Sequence, residues 1–211
     1  MLPEYRTIYR GGEDEIIEKK SRFIATVVPV NTEEEALEFV EKTRKKYWDA
    51  RHNCFAYIIG ERGQLQRCSD DGEPNGTAGK PMLDVLLGNE LRNVAVVVTR
   101  YFGGILLGSG GLVRAYSSAA SLAMKAARAA RIMTAKRYRV RLEYPQLARF
   151  QQILAQLGGS QEDESYAVNV ELTAVVPQDD CARFEERVRE AFNAAVVPAP
   201  IDMVNIPVPL A

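Results

Sequence analysis

Apolar positions alternate in some stretches of the chain and recur at helical spacing in others, which predicts a mixed α and β protein. Ser21 to Val30, SRFIATVVPV, is a β-branched run and reads as a strand. In the NTEEE that follows, Thr32 and Glu35 have capping-box spacing, opening a helix that carries Ala36, Leu37 and Val40. Cys54 to Gly60 predicts a strand, ERGQ a turn, and Leu65 to Ser69 a returning strand, together a hairpin. Thr77 has the chemistry to cap a short helix through Leu87, with Pro81 tolerated in its first turn. Asn93 to Arg100 is apolar at both alternating sets of positions, as in a central strand covered on both sides. Gly111 to Ala130 then predicts an alanine-rich helix. Its Leu112, Ala115, Ala119, Leu122, Ala123 and Ala126 form a narrow stripe suited to close packing on a sheet.

From Lys136 the pattern restarts as a second compact unit. Lys136 to Tyr144 alternates, Pro145 to Leu157 is helical, and Gly158-Gly159 stops that helix. Ser160 to Pro177 holds two strands, Gln178 to Asn193 a helix, and 195–206 a closing strand. The order is βαββαβ, a split-βαβ arrangement. The expectation is an α+β protein of two domains, residues 1–135 and 136–211. No flexible linker separates them near 131–137, so a stiff junction is expected. The proline-containing tail after Pro198 reads as an edge strand with a loose end.

Composition narrows the class. With 211 residues and 46% hydrophobic content, the chain can bury a full core. No apolar run approaches the ~18 residues of a membrane helix, the longest clean stretch being Val94 to Val98. The opening MLPEYRTIYRGGEDE offers no apolar region to a signal peptidase, so a cytoplasmic protein with no membrane partner is expected. Cys54, Cys68 and Cys181 are odd in number and scattered, which argues for reduced thiols rather than a disulfide framework. Residues 1–135 carry 19 basic against 17 acidic side chains, and 136–211 carry 8 against 11. Neither half is a polycation, so a nucleic-acid contact would rest on a local patch.

Two glycine-rich loops hold the candidate chemistry. A buried strand running into Thr99-Arg100, then the loop Tyr101 to Gly111, then a helix N-terminus would present backbone N–H groups and a positive dipole end to an anion. Gly103, Gly104, Gly108, Gly110 and Gly111 would allow close backbone approach, with Arg100 and Arg114 supplying charge. The alternative is that these glycines serve tight turns and helix packing. Neither common phosphate template fits: Pro74 sits where GxxxxGK[ST] needs its first glycine, and GSGGLV lacks the last glycine of GxGxxG.

The other loop, SDDGEPNGTAGKPM, sets Asp70, Asp71 and Glu73 before Thr77 and Lys80. Such carboxylates can hold Mg²⁺ or act as acid and base, or they can simply be turn residues neutralised by a neighbouring lysine. His52, the only histidine, lies two residues from Cys54, but a fourth soft ligand and a CxxC are missing, so no metal or cofactor is assigned. His52 is better placed for a structural hydrogen bond or for lining the cleft, with Tyr101 and Phe102 beside it. In the second domain Arg137, Arg139 and Arg141 alternate with Tyr138, Val140, Leu142 and Tyr144, leaving a basic stripe on the open face of the sheet. Asn169, Glu171 and Thr173 on a neighbouring strand make cross-strand ion pairs the competing reading of that stripe.

Taken together, the loops resemble the IMPACT/YigZ family. The pattern runs from Gly79 through Met82-Leu83, Leu86, Leu91 and Val97-Val98 into Arg100-Tyr101-Phe102-Gly103-Gly104, ending at Leu107-Gly108. SRFIATV and the segment His52 to Tyr57 are similar to the same family, so the resemblance spans 15–130. It implies an N-terminal domain folded like the second domain of a small-subunit ribosomal protein and a ferredoxin-like C-terminal extension. It also implies a translation-linked role facing RNA. Eukaryotic relatives restrain the amino-acid-starvation kinase pathway by competing for its ribosome-associated activator, using an additional N-terminal RWD domain for which residues 1–20 are too short.

Three functions are open at this point. The first is a non-enzymatic factor binding RNA or the ribosome through Lys80, Arg100, Arg114 and the glycine loops, with Arg137, Arg139 and Arg141 extending the footprint. The second is a phosphate- or nucleotide-handling enzyme with metal held by Asp70, Asp71 and Glu73. The third is a protein-interaction module, a ribosome-associated protein being one partner, anchored by Tyr101 and Phe102.

Overall fold

A computed structural model describes residues 4–210. Residues 1–3 and 211, the outer ends of the two expected domains, lie outside the described residues. The chain falls into two compact units, Glu4–Ile132 with 207–210, and Met133–Ile206.

The first unit holds β1 (Tyr5–Arg10), β2 (Gly12–Glu18), β3 (Ser21–Pro29), α1 (Glu33–Lys46), β4 (His52–Ile59) and β5 (Leu65–Ser69). It continues with α2 (Gly79–Gly88), β6 (Val94–Tyr101), α3 (Ser109–Ala126) and the opening residues of β7 (Arg128–Leu142). Five strands form an antiparallel sheet in the order β2-β3-β6-β4-β5. β6 is its central strand and is buried from Val94 through Arg100. The two-residue period explains why. Val94, Val96 and Val98 join Phe23, Cys54, Met82, Leu86 and Tyr116 in the core under α2 and α3, while Ala95 joins Val30, Ala36 and Tyr57 in the core under α1. Burial of each large apolar side chain is worth roughly 1.5–3 kcal/mol, so this doubly covered strand anchors the unit.

Local signals set most element ends. Thr32 caps α1 by accepting from Glu35 N at 3.2 Å, and Glu35 answers one residue further back than a capping box, accepting from Asn31 N at 2.7 Å. Acidic residues fill the first turn of α1 and basic ones the last, matching its dipole. Two expectations change. β1 and β2 were not legible, because β1 buries only Thr7 and Ile8 and β2 buries no residue fully, too little for an apolar alternation. The alanine-rich helix stops at Ala126 rather than Ala130, because Arg128 to Ile132 pair with β1 as strand. A tertiary ladder overrides alanine's helix preference there.

The second unit holds the rest of β7, α4 (Tyr144–Gln156), β8 (Ser160–Tyr166), β9 (Val170–Pro177), α5 (Cys181–Ala191) and most of β10 (Ala199–Pro209). Its strands lie in the order β10-β7-β9-β8, the split-βαβ topology read from the sequence. Tyr138, Val140 and Leu142 pack with Phe150, Leu154, Phe184 and Val188 of the two helices. Tyr144 departs from the expected buried face, since it is the first residue of α4 and is exposed. No helix of the described residues is long and apolar enough to cross a membrane.

Candidate functional site

The loop between β5 and α2 closes on itself. Asp70 accepts from Gly76 N at 2.8 Å and from Ala78 N and Gly79 N at 2.9 Å each, so it caps α2 from a distance in sequence. Thr77 does not cap; its hydroxyl donates to Pro74 O at 2.6 Å, and Ala78 occupies the cap position. Burial alone would raise the Asp70 pKa, but the three backbone donors outweigh it and hold the carboxyl below its ordinary value. Asp71 accepts from Asn53 N at 2.7 Å and from Arg44 at 2.9 Å, while His52 Nδ1 lies 2.9 Å from the Asp71 carbonyl oxygen.

Glu73 and Arg100 form the buried centre of this clasp. Glu73 Oε1 accepts from an Arg100 guanidinium nitrogen at 2.7 Å and from the Tyr116 hydroxyl at 2.8 Å. The two ionised side chains keep only 7% and 3% of their exposure, so each charge depends on the other. A second Arg100 nitrogen donates to Ser21 Oγ at 3.3 Å, and the rings of Phe23 and Phe102 lie 5.3 and 5.4 Å from the guanidinium carbon. The Cys54 thiol sits 3.4 Å from the Tyr116 oxygen and 3.0 Å from the Asp70 carbonyl. Burial pushes both the thiol and the phenol up, so they stay protonated at neutral pH and Cys54 is no nucleophile.

This overturns the expected electropositive hollow. The stretches around Lys80 and Arg100 are connected through Glu73, but most of their donors are used internally: Asp70 takes the amides opening α2, Glu73 takes one Arg100 nitrogen, and the buried Arg100 Nε is left without a hydrogen bond among the described residues. Lys80 is exposed and paired with Asp84 one helical turn on. Tyr101 donates to Asp49 at 2.7 Å.

The loop after β6 differs. A Cβ on Gly103 would overlap the backbone of Lys20, so this glycine serves close packing of the chain on itself. Gly104 and Gly108 hold φ values of 81° and 74° and face open space. Gly110 and Gly111 open α3. Phe102 is 47% exposed, Ile105 42% and Leu106 82%. Close by, Lys19 and Lys20 form the two-residue tip between β2 and β3, with φ of 43° and 64°. A tip with both residues left-handed normally takes Asn-Gly, and lysines there carry strain of about 1 kcal/mol each. Lys19 and Arg114 share a depression of about 260 Å³ with Leu107 and Gly111. Lys19, Lys20 and Arg114 are exposed, and no ion pair holds them among the described residues.

The region containing both loops matches the Impact N-terminal domain over residues 19–124, and residues 140–195 match a domain of unknown function, DUF1949. The "IMPACT family member YvyE" of Bacillus subtilis is 40% identical over 92% of this chain and 89% of its own length. The chain belongs to the IMPACT family. The "IMPACT family member YigZ" of Escherichia coli is 39% identical over 82% of this chain and 85% of its own. A crystal structure described as that of a hypothetical protein is 34% identical, with TM-score 0.61, covering 96% of this chain and 99% of that one.

In this IMPACT-family chain the basic stripe of the second unit is largely neutralised. Arg137 makes two hydrogen bonds to Asp202 at 2.7 and 2.6 Å, and Arg141 lies 3.9 Å from Glu171. Arg139 alone of the three has no ion pair among the described residues, and it is exposed. Sequence reasoning missed Ser21, Arg44 and Tyr116 as members of the clasp and Lys19-Lys20 as a surface feature. For the lysines the signal was partial: a charged dipeptide just before the strand-like run that begins at Ser21. For the clasp none did, because its members are spread from Ser21 to Tyr116.

Proposed function

We propose that this IMPACT-family chain is a non-enzymatic factor in the regulation of translation that docks on structured RNA of the ribosome. The observation that carries this reading is the strained Lys19-Lys20 tip beside Arg114 and the exposed loop of Phe102, Ile105 and Leu106. Cations without internal partners suit phosphates, and exposed aromatic or aliphatic tips suit unstacked bases. The carboxylates that a metal-dependent phosphoryl transfer would need are occupied by internal donors, which favours docking over catalysis. The family resemblance supplies the translational setting.

Cosedimentation with ribosomes across a salt series tests this. The wild-type chain pellets with ribosomes at low salt. The triple variant Lys19→Glu, Lys20→Glu, Arg114→Glu is expected to bind at least tenfold more weakly, with a salt slope smaller by about one for each phosphate left without its cation. Equal binding by the triple variant, or no wild-type binding at low salt, sinks the reading.

A further inference from the structure

The first unit has a second place that the glycine loops do not reach. A cleft of about 620 Å³ lies where β1, the turn between β4 and β5, the segment after α2 and the start of β7 meet. That volume falls within the ~300–1,000 Å³ of small-molecule sites. Its walls are tied together by backbone and buried amide bonds as well as by one surface ion pair. Arg92 N donates to Arg6 O at 2.8 Å. The buried Asn93 carboxamide donates to the Tyr5 hydroxyl at 2.9 Å and accepts from Gly60 N at 2.7 Å, bridging β1 to the β4–β5 turn. Glu90 and Asn93 hold left-handed φ values of 57° and 54° on either side of Arg92, a conformation that costs non-glycine residues energy. Gly63 leaves room for the Arg92 side chain, whose Cδ would lie 2.7 Å from a Cβ there.

Charge identifies the ligand class. Arg6, Arg62, Arg92 and Arg131 line the cleft. Arg131 is engaged by Glu4 at 2.7 Å, whereas Arg6, Arg62 and Arg92 form no ion pair among the described residues. Glu61 and Glu90 in the lining offset only part of that excess. Guanidinium forks match oxyanions in pairs, and Arg6 and Arg62 lining one cleft with Arg92, which also donates to the Leu91 carbonyl at 2.8 Å, fit an anion with more than one charged group. We infer that this cleft binds a small phosphorylated molecule through its phosphate or pyrophosphate group, independently of the docking face.

Titration calorimetry of the full chain with sodium pyrophosphate, at matched ionic strength, tests the site. One saturable site is expected, weakened about tenfold or more by Arg6→Ala or Arg62→Ala, since a charge-assisted hydrogen bond is worth roughly 1.5–3 kcal/mol. Both arginine side chains are exposed and form no ion pair among the described residues, so these variants keep the fold. The Lys19→Glu, Lys20→Glu, Arg114→Glu variant is expected to bind pyrophosphate as the wild type does, which separates this site from the docking face. Heat that never saturates, equal affinity in both arginine variants, or loss of binding in the triple lysine-arginine variant would overturn the inference.

Discussion

Two glycine-rich loops that look alike in sequence do opposite things. In the loop before α2, Asp70, Asp71 and Glu73 all find internal donors, and Arg100, the only buried cation among the described residues, is held by Glu73. In the region around the loop before α3, Lys19, Lys20 and Arg114 are exposed and form no ion pair among the described residues, beside exposed apolar side chains. The first loop commits its polar groups to internal bonds, whereas the second carries no charged residue of its own and lies beside cations from the β2–β3 tip and α3. A charged residue near a glycine turn is therefore no guide to function until its partners are known.

That contrast can be broken most severely at its buried centre. Glu73→Ala leaves the Arg100 guanidinium buried without its counter-charge, and a loss of about 3–5 kcal/mol is expected in urea unfolding. A loss under about 1 kcal/mol would show that the clasp is not what holds the loop. Asp70→Asn comes next, at about 1–2 kcal/mol for the weakened cap. Its pH signature is specific. Because the folded-state pKa lies below the ordinary 3.8, the contribution of Asp70 is complete above that value and is lost as pH falls through the lowered one. The wild type should therefore shed stability below about pH 4, and Asp70→Asn should shed less; identical profiles would exclude Asp70 as the cap.

The outward-facing side sharpens the comparison by changing sign. Replacing the tip by Lys19→Asn with Lys20→Gly relieves two left-handed lysines, so stability should rise by about 1–2 kcal/mol while ribosome binding falls. If stability and binding moved together, the tip would be structural. The smallest effect is expected in the second unit. Arg137 and Asp202 are both partly exposed, so Arg137→Ala should cost less than about 1 kcal/mol by thermal unfolding.

How much of this was legible follows from where the signals lie. The apolar double alternation of Val94 to Val98 announced a covered central strand, and the βαββαβ order of the second unit was readable from Lys136 onward. β1 and β2 were not, because strands that bury two residues or none have no period to detect. At the site, both loops were found, but Arg100 was assigned to an external anion when its partner was Glu73. Of the four arginines lining the cleft, the three without an ion pair among the described residues, at positions 6, 62 and 92, share no motif at all.

The sequence by itself determined the types of the elements with a clear apolar period, the two-part division and membership of the IMPACT family, since periodicity, turn chemistry and motif spacing are local properties. Only the tertiary structure decided which charges are free. Glu73 meets Arg100 27 residues away and Tyr116 43 residues away. A charge is neutralised by whatever folding brings within a few ångströms of it, and pairings at such separations leave no periodic trace along the chain.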